Sequence, residues 1–312
     1  MRILVTGGAG FIGSHVAEAA LGRGHEVLVL DDLSTGKRAN VPSAARFVQL
    51  DIRDGKKLSE LIGEFKPKVI THQAAQTSVS ISTREPVRDA EINILGSIQL
   101  CNAAVEHGVE RVVFASTGGA IYGEVPEGQR AKEGDPTTPL SPYACSKLSF
   151  ENYLRGFYAQ ERGLKSTVLR YANVYGPRQD PHGEAGVVAI FSRRFKAREP
   201  VQINAKSKLG DDGCIRDYVF VADVVRANLA ALEGQIERPI MNVCAGEPTS
   251  TRTLSEALQR ELGSGSEIKN GDRRAGDLER SVLDPSYCRS IIGEATSLDD
   301  GLKQTAAWFS KQ

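Results

Sequence analysis

The first 31 residues constrain this chain more than any other stretch. Arg2-Ile3-Leu4-Val5 is a short apolar run with the composition of a buried strand. Thr6-Gly7-Gly8-Ala9-Gly10-Phe11-Ile12-Gly13 follows at once, then a helical pattern over 14–21. A second apolar run over 26–30 is closed by Asp31 and Asp32. This is strand, glycine turn, helix, strand and acid in one βαβ unit. Gly7, Gly10 and Gly13 allow a tight turn, a close backbone approach and helix–strand packing, and the helix N-terminus turns its amides toward an anion. Asp31 stands where a carboxylate would accept from both ribose hydroxyls and repel a 2′-phosphate, which favours NAD over NADP. Phe11, Ile12, Asp32, Leu33, Thr35 and Gly36 complete the candidate cofactor contacts of this unit. A glycine turn in an α/β protein with no dinucleotide is the competing reading.

Further apolar runs at 46–50, 68–71, 111–115 and 166–170 alternate with helical patterns, as in a Rossmann-like doubly wound parallel sheet. Ligands in such sheets bind outside the carboxyl ends of the strands. The residues just after each run are therefore candidates: Asp51 and Ile52, then Gln73, Ala74 and Ala75, then Ser116 and Thr117, then Tyr171 and Asn173. Net charge is zero over 312 residues, which speaks against nucleic acid or an anionic membrane as the main partner. No apolar run reaches the length of a membrane span, and the first is too short for a signal peptide. Five widely spaced cysteines form no zinc-ligand pattern, so no metal is expected and the chain reads as cytoplasmic with reduced thiols.

Helical segments over 86–107 and 142–161 stand out. The first is apolar on more than one face, through Ile92, Ile94, Leu95, Ile98 and Leu100. One face can cover the sheet; the rest wants another partner. Two such helices from each of two subunits predict a homodimer, with burial against the chain's own C-terminal part as the alternative. Beyond Asn173 loop signals multiply, at 176–177, 181–183 and 210–213, between helical patterns at 187–196, 222–232 and 254–262. This predicts a cofactor domain over 1–175, with 217–245 returning to it, and a smaller α-rich substrate lobe over 176–216 and 246–312.

Tyr143 and Lys147 are the centre of the chemistry. Ser141-Pro142 is a helix entry, and Tyr143 and Lys147, one helical turn apart, share a face. Tyrosine is a poor base at neutral pH; lowering its pKa by about three units takes about 4 kcal/mol. One cation at about 4 Å supplies that order of energy at an effective dielectric near 20. Lys147, with the positive nicotinamide ring, can keep Tyr143 partly ionised. Such pairs also decorate solvated helices, so it is the preceding dinucleotide unit that gives this one weight.

Taken in order, TGGAGFIG at 6–13, HQAA at 72–75, Asn93, STGGAIYG at 116–123, SPYACSK at 141–147, LRYANVYGPRQ at 169–179 and RDYVFVADV at 216–224 resemble the extended short-chain dehydrogenases/reductases. Within them the UDP-glucose 4-epimerase type is most similar. The resemblance implies NAD, a UDP-hexose, and a tyrosine that takes the sugar 4-hydroxyl proton while C4 hydride passes to the cofactor. The 4-keto sugar turns over and hydride returns to its other face. It assigns Tyr143 as base, Lys147 as its activator, and Asn93, Tyr143, Lys147 and Tyr171 as cofactor contacts. The third group is a Ser or Thr on the 4-oxygen. The usual spacing falls on Gly118; one extra loop residue restores Thr117, and Ser116 is the substitute. Dehydratase relatives carry an Asp-Glu pair at 118–119, where this chain has two glycines.

The same resemblance implies substrate contacts at Thr77, Thr117, Tyr143, Asn173, Val188, Gln202, Asn204, Arg216, Arg274, Asp277 and Ser281. Two arginines suit a diphosphate, although either alone could be a surface ion pair. Thr77 departs from the lysine some epimerases place there. Ser281 replaces a tyrosine associated with rejecting N-acetylated sugars. The resemblance leaves open a UDP-N-acetylhexosamine or UDP-uronic acid 4-epimerase; a non-catalytic dinucleotide-binding scaffold is the contrasting class.

Overall fold

Most of the apolar runs become strands with largely buried side chains and backbones paired on both sides, whereas the run at 46–50 forms a partly exposed edge strand. In the computed structural model residues 1–182, 186–274 and 276–312 are described. Gly183 of one loop signal and Ala275 lie outside them. The large sheet has seven strands, ordered β10-β6-β5-β4-β1-β2-β3. They are β1 Arg2–Thr6, β2 Glu26–Asp31, β3 Arg46–Gln49, β4 Val69–His72, β5 Arg111–Thr117, β6 Lys165–Tyr171 and β10 Ile240–Val243. The pairs β1–β2, β1–β4, β2–β3 and β4–β5 are parallel. Ile3, Leu4 and Val5 have no exposed surface, as befits a central strand with helices on both faces.

The chain divides into two compact units. The first comprises Met1–Thr117, Pro139–Arg170 and Val225–Met241. Its helices are α1 Phe11–Gly22, α2 Gly55–Phe65, α3 Val79–Arg84, α4 Pro86–Ala90, α5 Ser97–Glu106 and α7 Pro142–Asn152. A π-helical segment, Glu91–Gly96, links α4 to α5, and another, Tyr153–Glu161, continues α7. The two long helices expected over 86–107 and 142–161 therefore form, each with a widened stretch inside it. Leu100, Leu154, Tyr158 and Phe150 pack into the same core as Leu4 and Phe114.

The second unit comprises Gly118–Thr138, Tyr171–Val224 and Asn242–Gln312. It holds α6 Gly118–Ile121, α8 Val187–Lys196, α10 Thr251–Glu261, α11 Ser286–Ile292 and α12 Leu298–Ser310; α9, Val221–Leu232, crosses the boundary. Besides its helices it carries two small sheets. One pairs β9 Ile215–Phe220 with β7 Asn173–Tyr175, β11 Pro248–Ser250 and β13 Arg280–Ser281. The other pairs β8 Val201–Asn204 with β12 Ile268–Gly271.

This corrects the expected partition at two places. Residues 217–220 do not rejoin the large sheet; of 217–245, α9 from Val225 onward and β10 through Met241 fall in the first unit. The reason is Asp217, which is 1 % exposed. Its carboxylate accepts from the backbone amides of Ala245, Gly246 and Leu283, which fixes β9 within the second unit. Residues 118–138 also leave the first unit. The Val125 and Ala131 amides donate to Arg280 and Val282 carbonyls, and the Glu124 carboxylate accepts from the Glu279 and Arg280 amides. Among the described residues, no helix is long and apolar enough to cross a membrane.

Candidate active site

In the first unit the glycine turn has the shape its sequence implies. Gly7 has φ +66°, and a Cβ there would lie 2.6 Å from the Ala74 nitrogen. A Cβ on Gly13 would lie 2.2 Å from the Gly7 carbonyl oxygen. Only glycine permits this crossing of backbones. Helix α1 begins after Gly10 with no side-chain cap and no acid in its first turn, so its leading amides meet no competing anion of their own. Asp31, at the end of β2, accepts from Ala9 N at 3.0 Å and Leu33 N at 2.8 Å. Burial pushes its carboxyl upward, against these two amides. A Cβ on Gly36 would lie 2.7 Å from Asp31 Oδ1, so glycine lets this loop close on the acid. Phe11, Ile12 and Leu33 are half-buried, while Asp32 and Thr35 are exposed. These features fit a dinucleotide: a backbone cradle for the pyrophosphate and an acid for the ribose.

Other predicted cofactor residues prove to be held by neighbours. Ile52 belongs to the core, and Asp51 is bound by the Arg53 guanidinium, which holds its carboxyl below the usual range. Gln73 donates to Thr71 Oγ1 and Asn228 Oδ1. Ala74 N donates to Thr6 Oγ1, and Ala75 is half-buried beside it. Asn93 accepts from the Gln76 amide and donates to the Gln76 carbonyl and Asp89 Oδ1. Its amide therefore pins the loop after β4. Thr77, one residue on, is exposed.

Ser141 caps α7, accepting from Ala144 N, with Pro142 in the first turn. Tyr143 is half-buried; Lys147, one turn later, is 2 % exposed. Lys147 Nζ donates to the Ala115 carbonyl at 2.9 Å, and lies 4.7 Å above the Phe114 ring and 6.0 Å from the Tyr143 ring centroid. Burial lowers its pKa to about 8; Asp89 and then Glu151 oppose that fall. An ammonium between one carbonyl and two aromatic rings is placed to stabilise a neighbouring phenolate.

The structure separates the two candidates for the third group. Ser116 is buried and donates to Glu151 Oε1 at 2.5 Å. Glu151 is fully buried and receives Arg170 on both oxygens, with Nη2 to Oε2 at 2.6 Å. Ser116 is thus engaged in a closed buried network. Thr117, the last residue of β5, is half-buried, and no described residue binds its hydroxyl. Sequence reasoning missed Glu151 and Arg170, and also His72. That histidine, fully buried between Thr6 Oγ1 and Ser97 Oγ, is pushed down to about 3 by burial and by the Lys147 charge, so it is neutral. The four-residue step from Lys147 to Glu151 was a signal for the first of these.

Within the second unit the predicted substrate residues fall into two sets. Asn173 opens β7; a Cβ on Gly119 would come 3.1 Å from its Oδ1. Arg216 is half-buried and fixed, donating to the Ile215 carbonyl at 2.9 Å and the Leu278 carbonyl at 2.7 Å. Ser281 pairs with Arg216 across β13 and β9, is buried, and donates to the Gly119 carbonyl at 3.1 Å. Tyr171 and Val188 are buried. The other set is looser. Gln202 is exposed on β8 and donates to Asn204 Oδ1; opposite them Gly271 leaves room for the Gln202 side chain. Arg274 is exposed, 3.8 Å from Asp277.

Comparison with known proteins agrees with this geometry. Residues 3–244 match the NAD dependent epimerase/dehydratase family. The UDP-glucose 4-epimerase of Mycolicibacterium smegmatis is 43 % identical, over 99 % of this chain and 98 % of that one. Among solved structures, the Thermus thermophilus UDP-glucose 4-epimerase complex with NAD is 51 % identical, with a TM-score of 0.95 over 99 % of both chains. The Thermotoga maritima UDP-glucose 4-epimerase with UDP-glucose is 46 % identical, with a TM-score of 0.94 over 100 % of this chain and 99 % of that one.

Proposed function

The chain belongs to the NAD dependent epimerase/dehydratase family, and from that membership we infer the chemistry its own residues perform. It interconverts UDP-glucose and UDP-galactose with NAD as cofactor. The observation that carries this reading is Lys147, buried one helical turn from Tyr143 and tethered to β5 through the Ala115 carbonyl. A scaffold has no use for a buried ammonium held in that way.

When bound, NAD would be held by the glycine turn and Asp31 and would supply reversible hydride acceptance for the sugar C4. Tyr143 Oη takes the 4-hydroxyl proton and gives it back. Lys147 stabilises the phenolate before the proton is taken and again once it has been given back. Thr117 Oγ1 holds the 4-oxygen; Ser116, spent on Glu151, steadies the end of β5. Gly118 and Gly119 offer no acid or base for removing water, so the cycle stops at epimerisation. The first unit binds the cofactor through Asp31 and the glycine turn. The second unit receives the UDP portion, with Arg216 and Arg274 on the phosphates, Gln202 and Asn204 toward the base and Asp277 toward the ribose. Ser281, smaller than a tyrosine, leaves room for 2-acetamido sugars as well.

A homodimer accompanies this reading. Val79, Val87, Leu95, Tyr153 and Phe157 are 47, 71, 55, 46 and 40 % exposed on the two long helical segments and α3 of the first unit. Such a set of large apolar side chains suits a second copy of the chain better than water. The free thiols of Cys101, Cys145, Cys214 and Cys244 suit a cytoplasmic location.

Incubation with UDP-galactose and separation of the products tests the activity. UDP-glucose should appear, NAD should co-purify, and no net NADH should accumulate. Stoichiometric NADH would make the chain a dehydrogenase; no turnover of any UDP-hexose would leave the scaffold reading.

A further inference from the structure

Four charged side chains are buried in the first unit around α7: Lys147, Glu151, Arg170 and Asp89. Glu151 and Arg170 form a closed bidentate pair, with 0 and 3 % of their side chains exposed. That leaves Lys147 and Asp89. Asp89 has no exposed surface, at the end of α4, which packs on α7. Its Oδ1 accepts from Gln76 Nε2 at 2.7 Å and Asn93 Nδ2 at 3.0 Å, both neutral amides. Its Oδ2 is buried with no hydrogen-bond partner among the described residues. An uncompensated buried carboxylate is costly, and a nearby buried ammonium is the group that repays it. Of the two carboxylates that act on Lys147, Asp89 has the stronger pull.

We propose that Asp89 is the counter-charge of Lys147: a positioning residue that keeps the ammonium protonated beside Tyr143 while clamping Gln76 and Asn93 behind the loop that carries Ala74 and Ala75. Two roles meet in one carboxylate. Through Oδ1 it fixes the chain after β4; through its charge it acts on α7. The other ionisable groups around Lys147 leave this role unfilled. On its own helix stand Tyr143 and the Arg170-bound Glu151; on β4 stands His72, which is neutral. On α3 and α4, Arg84 and Arg88 are exposed, and Arg88 pairs with Glu85. In the π-helical segments Glu91 is exposed 3.7 Å from Arg53, Glu161 is exposed, and Tyr158 is pushed up to about 12 by burial. Tyr153 is exposed and Arg155 half-buried there; on β5, Arg111 donates to the Ala231 carbonyl.

The role rests on the epimerase reading, and its test has a readout that does not. Asp89→Asn keeps an oxygen for Gln76 and Asn93 and removes only the charge. With carbon-13 at the lysine ε-carbon, the Lys147 signal is assigned by its loss in Lys147→Met and followed through pH. Asp89→Asn should lower the Lys147 midpoint by about one pH unit. The alkaline limb of kcat for UDP-galactose should move the same way, with KM unchanged. Gln76→Ala breaks the clamp but keeps the charge, so it should weaken NAD retention and leave the midpoint in place. Asp89→Ser must move the midpoint in the same direction as Asp89→Asn. An unmoved midpoint in the Asp89 variants, or an equal shift in Gln76→Ala, overturns the proposal. Absence of turnover in the parent chain would sink the epimerase reading and leave the Lys147 titration standing.

Discussion

Both units bury charge, the second through Asp217 on three backbone amides, but the side chains proposed for the proton step and those proposed for the diphosphate are held differently. In the first, Lys147, Glu151, Arg170 and Asp89 are buried, and all four sit on or against helix α7. In the second, Arg216 is half-buried with two carbonyls holding its guanidinium, and Arg274 is exposed beside Asp277. On the proposed roles, the groups around the proton transfer are set in a buried frame, where a charge acts strongly and reorganises little. The two arginines proposed for a diphosphate lie nearer water, where binding and release would cost less. Arg216 and Arg274 show the gradation within one unit: one side chain is already oriented by two carbonyls, and the other is exposed beside Asp277.

The comparison predicts the largest loss at the rigid end. Tyr143→Phe should retain NAD and UDP-sugar but lose turnover by about 10²-fold or more, the usual scale for a general base. Near-normal single-turnover rates would remove Tyr143 from the chemistry. Arg216→Ala should come next. Losing an oriented, charge-assisted contact of about 1.5–3 kcal/mol should raise KM for UDP-galactose by about 10-fold or more, with a smaller change in kcat. Arg274→Ala removes an exposed contact of about 1 kcal/mol or less, so its KM should rise only several-fold. Equal losses at the two arginines would erase the distinction drawn between them.

Ser281→Tyr sharpens the picture of the second unit. It should suppress activity on UDP-N-acetylglucosamine while largely sparing UDP-galactose, because the added ring acts by local steric exclusion. A parent enzyme that ignores acetylated sugars, or a variant equally poor on both, would dismiss this role. The mildest expectation concerns pH. Burial lowers Lys147 to about 8, so its cation is present at neutral pH and is lost as pH rises through that value. kcat should therefore fall on the alkaline side with a midpoint near 8, through loss of the charge that stabilises the Tyr143 phenolate. A profile flat well above that midpoint would separate Lys147 protonation from catalysis.

Local features were legible in the sequence; distant pairings were not. The β1–turn–α1–β2 unit and the Tyr143–Lys147 turn are written in consecutive residues, and they form as expected. The partition of the chain is not local. An apolar strand over 217–220 suits either sheet, and nothing in its composition announces the three amides that the Asp217 carboxylate gathers. Residues 118–138 join the second unit through Glu124 and the Arg280 and Val282 carbonyls, more than a hundred positions away. What engages Ser116 is equally distant in sequence: Glu151 and Arg170 lie on two other elements.

The π-helical segments Glu91–Gly96 and Tyr153–Glu161 bear on how these helices tolerate change. A π turn stores one residue more than the α ladder calls for, and each residue advances an α-helix by about 100°. Side chains on either side of it are thus out of phase, which is how one helix can be apolar toward two directions. Val87 before the turn and Leu95 within it face outward, whereas Leu100 and Cys101 after it lie in the core. The two faces can drift independently in sequence, so long as the extra residue stays. Removing one residue from 91–96 would bring them into a single phase. That would swing Leu100 and Cys101 out of the sheet's packing, a far larger insult than any single substitution along the same stretch.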